Sequence, residues 1–244
     1  MEPAPESQET LMDSAVREFA RRGLLLCVAL FLIEVALFFV VSSAPFFPGE
    51  QALYTNQSNQ IGSEFQNAGL FTEFWGIFIN NFRIALIEII PGIGLLFFAF
   101  SLYATARILE VISLSDHTSP IIVVLVLLLL FPHSWIELPA YAVATAEGVY
   151  LLYAIIKWLG ETGKEHRTIK WSAEATQLGI NLVIITVMLL VAALFESVEI
   201  QIGLLFWVTW IPFAVLIALV LALNKRLTKI RKEMKAEAAP SPIQ

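Results

Sequence analysis

Six ionisable residues stand inside or beside long apolar runs of the sequence: Glu34, Arg83, Glu88, His133, Glu137 and Glu147. Charge in a hydrocarbon layer is costly, so such side chains face a bundle interior and serve as relays, substrate contacts or ion pairs. His133 and Glu137 are four residues apart, which puts both on one helical face. Two ligands are too few to hold a metal, because zinc sites draw on three or four. The simpler expectation is a buried Arg83–Glu137 ion pair, with Asn80, Asn81 and His133 completing a polar cluster and His133 satisfying carbonyls freed by nearby prolines. Glu34, Glu88 and Glu147 form a second, acidic set. Glu34 and Glu88 either relay protons or substrate or hydrogen-bond across helices. The sequence holds no HExxH, Walker lysine loop, paired cysteines or GxSxG turn, so it offers no catalytic residue, metal or cofactor site and no nucleic-acid signature.

Only membrane-spanning helices can hold these residues. Of 244 residues, 58% are hydrophobic and 15% charged, with a mean hydropathy of +0.76; soluble domains carry about 25% charged residues. The apolar residues come in blocks, and about 18 in a row are enough to cross a bilayer. The fold class is therefore all-α: a polytopic helical membrane bundle of about six embedded elements. Those elements are residues 23–41, 84–109, 120–131, 136–156, 179–194 and 203–223. Residues 1–22 read as a cytoplasmic tail with an amphipathic helix, and residues 224–244 as a basic cytoplasmic tail. Residues 42–70 read as a polar outer loop, in which Asn56-Gln57-Ser58 matches a glycosylation acceptor. Residues 71–83 are amphipathic and lean along the outer interface, bending into the next span at Pro91. Pro132 and Pro139 break the apolar stretch 120–156 into either a short span and its return or a re-entrant pair. Cys27, the single cysteine, has no disulfide partner within the chain.

Lysine and arginine collect on the cytoplasmic side of membrane proteins. Arg17, Arg21 and Arg22 precede the first span, Arg107 ends the second, and Lys157, Lys164, Arg167 and Lys170 precede the fifth. Lys225, Arg226, Lys229, Arg231, Lys232 and Lys235 follow the last, and Arg83 alone breaks the pattern. Both termini are thus expected in the cytoplasm, with the chain in the cell membrane. No internal repeat signals a two-fold transporter.

The stretch Asn80–Tyr153 resembles the stage II sporulation protein M family. NNFRIAL, followed by the glycine-containing PGIGLLFF, carries part of the likeness. FPHSWIELPAYAVATAEGVYLL carries the more specific part: Pro132 and His133, then Glu137, Leu138, Pro139 and Ala140, then a small-residue helix with Gly148. Where the family often shows Asn-Gly near the end of the second span, this chain reads Ala104-Thr105-Ala106-Arg107. The resemblance implies a non-enzymatic, multi-pass membrane protein that works with protein partners as a scaffold or complex component, lipid-embedded and possible as a homo-oligomer. The alternative expectation is a small transporter, channel or lipid-handling protein built around the buried carboxylates.

Overall fold

The computed structural model describes residues 23–65, 68–162 and 168–237. The amphipathic segment expected before Gly23, with Arg17, Arg21 and Arg22, and the residues Lys164 and Arg167 lie outside them, as do residues 238–244. Every element is helical: α1 Leu24–Ser42, α2 Glu50–Phe65, α3 Leu70–Glu88, α4 Ile93–Ser115, α5 Pro120–Leu130, α6 Ser134–Gly160, α7 Trp171–Ile202 and α8 Trp210–Glu237, with a 3₁₀ turn Gly203–Thr209 before α8. Six segments are long and apolar enough to cross a membrane: α1, α3, α4, α6, α7 and Leu205–Arg226. The protein is an all-α membrane bundle.

Several segments differ from the sequence reading, each for a physical reason. Residues 42–70 are not a loop, because α2 occupies most of them. Glu50 reaches back to the N–H of Phe47 (2.8 Å), the returning half of a capping box that starts a helix even in a polar stretch. Asn56 is exposed on that helix. Residues 71–83 do not lean along an interface. They are the first part of α3, whose buried residues Glu73, Ile77, Asn81, Ala85 and Glu88 form one helical face packed along α7. The span expected at 84–109 is two helices. Pro91 and Gly92 lie in the turn between them, and Gly92 adopts φ 81°, which suits glycine. A Cβ on Gly94 would stand 1.8 Å from the carbonyl oxygen of Glu88, so only glycine lets the chain double back this tightly.

The break in the 120–156 stretch is short. α5 ends at Leu130, Pro132 and His133 lie between the helices, and α6 runs from Ser134 straight through Pro139. Pro139 is therefore not a breaking point, as expected, but a residue of α6. The carbonyls that α5 leaves open find side-chain donors: Trp135 Nε1 to Leu128 (2.6 Å), Ser134 Oγ to Leu127 (3.2 Å) and Trp210 Nε1 to Leu130 (2.8 Å). A helix end buried in a bundle needs such partners. His133 is not among them. Residues 195–202, which the sequence reading leaves between two spans, continue α7, which has no breaker before Gly203. Residues 224–237, read as tail, continue α8.

Contacts along the helices fix their relative directions. Phe31 of α1 meets Trp135 of α6 (6.1 Å between rings), and Cys27 lies near Glu147, so α1 and α6 run antiparallel. Glu199 bonds His133 while Asn181 bonds Glu147, which makes α7 antiparallel to α6. Gln201 donates to Glu73 (2.9 Å) and Thr145 to Glu88 (3.3 Å), so α3 runs with α6. The start of α4 lies beside Glu88, while Arg107 reaches the carbonyls of Val41 and Ala44; α4 therefore runs with α1. Arg107 thus sits at the end of the bundle where α1 gives way to α2. It does not belong with Lys157 and Lys170 at the opposite end, where the sequence reading grouped it. That reading laid residues 71–83 flat, and so missed one reversal of the chain.

Candidate functional site

The chain break before α6 puts His133 in the bundle interior, buried with 8% of its surface exposed. Its Nδ1 hydrogen-bonds Glu199 of α7, and Thr209 donates to the same carboxylate (3.0 Å). One turn along α6, Glu137 accepts a hydrogen bond from Tyr141 (3.0 Å). One turn before Glu199, on the same face of α7, is Glu196. Ligand atoms of His133, Glu137 and Glu196 all lie within 4.8 Å of one another.

The acidic set continues along the bundle. Glu34 of α1 is 1% exposed; its Oε2 is without a hydrogen-bond partner among the described residues, and it lies near Glu88 and Glu137. Glu88, fully buried at the end of α3, accepts hydrogen bonds from Ser101 (3.2 Å) and Thr145 (3.3 Å). Further on, Asn181 donates to Glu147 and is itself reached by Gln177 (3.1 Å). Six carboxylates, Glu199, Glu196, Glu137, Glu34, Glu88 and Glu147, therefore form a column between α1, α3, α6 and α7. His133 stands at one end of it. None of these carboxylates forms an ion pair with lysine or arginine among the described residues.

The two arginines outside the inner clusters lie elsewhere. Arg83 is exposed on α3 and makes no ion pair among the described residues, so the Arg83–Glu137 pair expected from the sequence does not form. The polar cluster divides: Asn80 and Arg83 share the exposed side of α3, Asn81 is buried and accepts from Asn80 (3.2 Å), and His133 and Glu137 join α7. Arg107, 2% exposed, is the buried lysine or arginine among the described residues. It bonds Glu110 (2.6 Å) and the carbonyls of Val41 (3.0 Å) and Ala44 (2.7 Å), and meets Glu50 at 3.4 Å. It also faces the rings of Phe46 and Tyr103, about 5 Å away. Burial would push the Glu50 carboxyl up, but the Tyr103 hydroxyl, the Phe47 N–H and Arg107 together hold it below its ordinary value.

Sequence reasoning named Glu34, Glu88, Glu137, Glu147 and His133, and missed Glu196, Glu199, Tyr141 and Thr145. The first two carried a signal. Glu196 and Glu199 are spaced i,i+3 in a run without a helix breaker, and a longer α7 would have brought them inside. Chemically, the column is a low-dielectric interior with many acids, one histidine and, among the described residues, no paired lysine or arginine. Such a set does not stay ionised without counter-ions, so its members are either protonated or balanced by a cation.

A family model described as Stage II sporulation protein M matches residues 27–198. The match takes in the column from Glu34 to Glu196 and stops one residue short of Glu199. Neither a curated protein nor a solved structure matches the chain.

Proposed function

The chain belongs to the stage II sporulation protein M family, and from its interior we propose that this member is a non-enzymatic cation-handling protein of the cell membrane, a small transporter or channel. One observation carries the reading: six buried or half-buried carboxylates are aligned through the bundle, and among the described residues no lysine or arginine pairs with them, His133 at one end being their single basic neighbour. A protein that only holds others together has no use for that costly arrangement, whereas a path for protons or metal ions requires it. In this reading both termini face the cytoplasm, by the clustering of basic residues at the end of the bundle that carries Lys157 and Lys170. Purified protein in liposomes should dissipate an imposed pH gradient, and Glu88→Gln should abolish most of that flux. A wild-type protein without flux, or a variant with full flux, would count against the proposal.

A second reading, membership of a membrane complex, draws support from α8. Only 11% of its apolar window is buried; its main packing is on the 3₁₀ turn, with a contact from Phe213 to Phe195 of α7. A long span so sparsely covered suits a partner protein or a second copy. Crosslinking from cysteines placed along the outward side of α8 in native membranes would test this; monomeric, uncrosslinked protein at every position would argue against it.

A further inference from the structure

We propose that His133, Glu137 and Glu196 bind a divalent transition-metal cation, with Glu199 orienting the histidine. The donors converge from two helices: His133 and Glu137 from the start of α6, Glu196 from α7, with one ligand atom of each within a 4.8 Å span. Glu199 holds the imidazole through Nδ1 and is itself fixed by Thr209 (3.0 Å). A carboxylate on the far nitrogen of a ligating histidine is the usual outer support of such sites, since it sets the ring's orientation and leaves the other nitrogen's lone pair for the metal.

A second observation, independent of these residues, points to a ligand. Glu34 is 1% exposed, has an unpartnered carboxylate oxygen and lies near Glu137. A carboxylate held there without a donor is explained if a cation shares the space. Charge favours a cation as well. Glu137 and Glu196 are both acidic, and neither arginine outside the inner clusters is available to them: Arg83 is exposed and Arg107 is engaged by Glu110 and Glu50. One imidazole and two carboxylates suit zinc, manganese, iron or cobalt in the divalent state, not magnesium or calcium, which favour all-oxygen sites. Three protein ligands leave coordination positions open, as a site that exchanges its ion requires.

This inference rests on the cation-handling reading for the ion's purpose, though binding can be measured without transport. Full-length protein in detergent, stripped with a chelator, is titrated with Co²⁺ and followed by visible absorption, with Zn²⁺ as competitor. The expected result is saturation at one cobalt per chain, displaced by zinc and unaffected by millimolar Mg²⁺. Glu199→Gln should weaken binding about 10- to 100-fold, Glu196→Gln at least as much, and Arg83→Gln not at all. Gel filtration and melting curves of each variant establish that it is folded. Absence of saturable cobalt binding, or wild-type binding by folded Glu196→Gln and Glu199→Gln, would overturn the site. Proton flux without metal binding would discard the site and keep the transport reading; metal binding without any flux would keep the site and discard transport.

Discussion

Two arginines with the same chemistry behave oppositely at the residue scale. Arg107 is enclosed by Glu50, Glu110 and the carbonyls at the end of α1, so its removal strands two carboxylates and several acceptors. Arg107→Met should therefore cost about 3–5 kcal/mol, read as lowered melting in detergent. Arg83→Gln, on an exposed side, should stay within about 0.5 kcal/mol. Glu50 adds a pH dependence. Its folded-state carboxyl is held below the ordinary value of 4.5, so its stabilisation is fully present above that value and is lost as pH falls through the folded one. Acid melting curves of wild type should drop in that window, and Glu50→Gln should flatten the drop; an unchanged acid limb would contradict this. The sequence marked Arg83 as unusual, and it is, but charge alone does not tell how a helix is rotated. Buried Ile77, Asn81, Ala85 and Glu88 turn Arg83 away from the interior. Glu34, Glu88 and Glu147 were legible because charge inside an apolar run has few places to go.

Among the elements, the α3–α4 turn depends on three glycines, Gly92 and Gly94 within it and Gly148 opposite. Gly148 of α6 lies against it so closely that a Cβ would stand 2.5 Å from the carbonyl oxygen of Glu88, a backbone atom that has little room to yield. Gly148→Ala should push the turn away from α6 and cost roughly 1–3 kcal/mol. Gly179→Ala on α7 meets open space and should be neutral or stabilise by up to about 1 kcal/mol. Paired melting curves check both; equal effects would mean that the turn is not seated on α6. The glycines and Pro91 were readable as a bend, but the sharp reversal was not, since it needs Gly148 from a helix more than fifty residues away. α2 was missed because its residues are polar and its start is set by the Glu50–Phe47 cap, not by apolar periodicity. α7 was cut short because acids at 196 and 199 look like a loop until His133 is placed beside one of them.

For the whole molecule, the direction of α4 decides the topology. Arg107 at the α1–α2 end puts the Asp116–Ser119 turn on the same side of the membrane as α2. Single cysteines at Thr118 and Asn59, in a Cys27→Ala chain, should label from one side, and a cysteine at Thr162 from the other. Labelling of positions 118 and 162 from the same side would restore the topology read from the sequence. Fold class and family were legible in the sequence, through apolar blocks and the Pro132–Gly148 motif; the course of the chain depended on packing. The central claim is that the interior column carries cations, and Glu34 gives its most direct test. The Glu34 carboxyl makes no hydrogen bond among the described residues, one oxygen being buried and unpartnered, so Glu34→Gln removes its ability to exchange a proton or bind a cation while leaving the packing of α1 in place. In proteoliposomes under an imposed pH gradient, the wild-type chain should pass protons, and Glu34→Gln should lose most of that flux while melting no lower than wild type. Equal flux from the two proteins, or no flux from the wild type, would contradict the account.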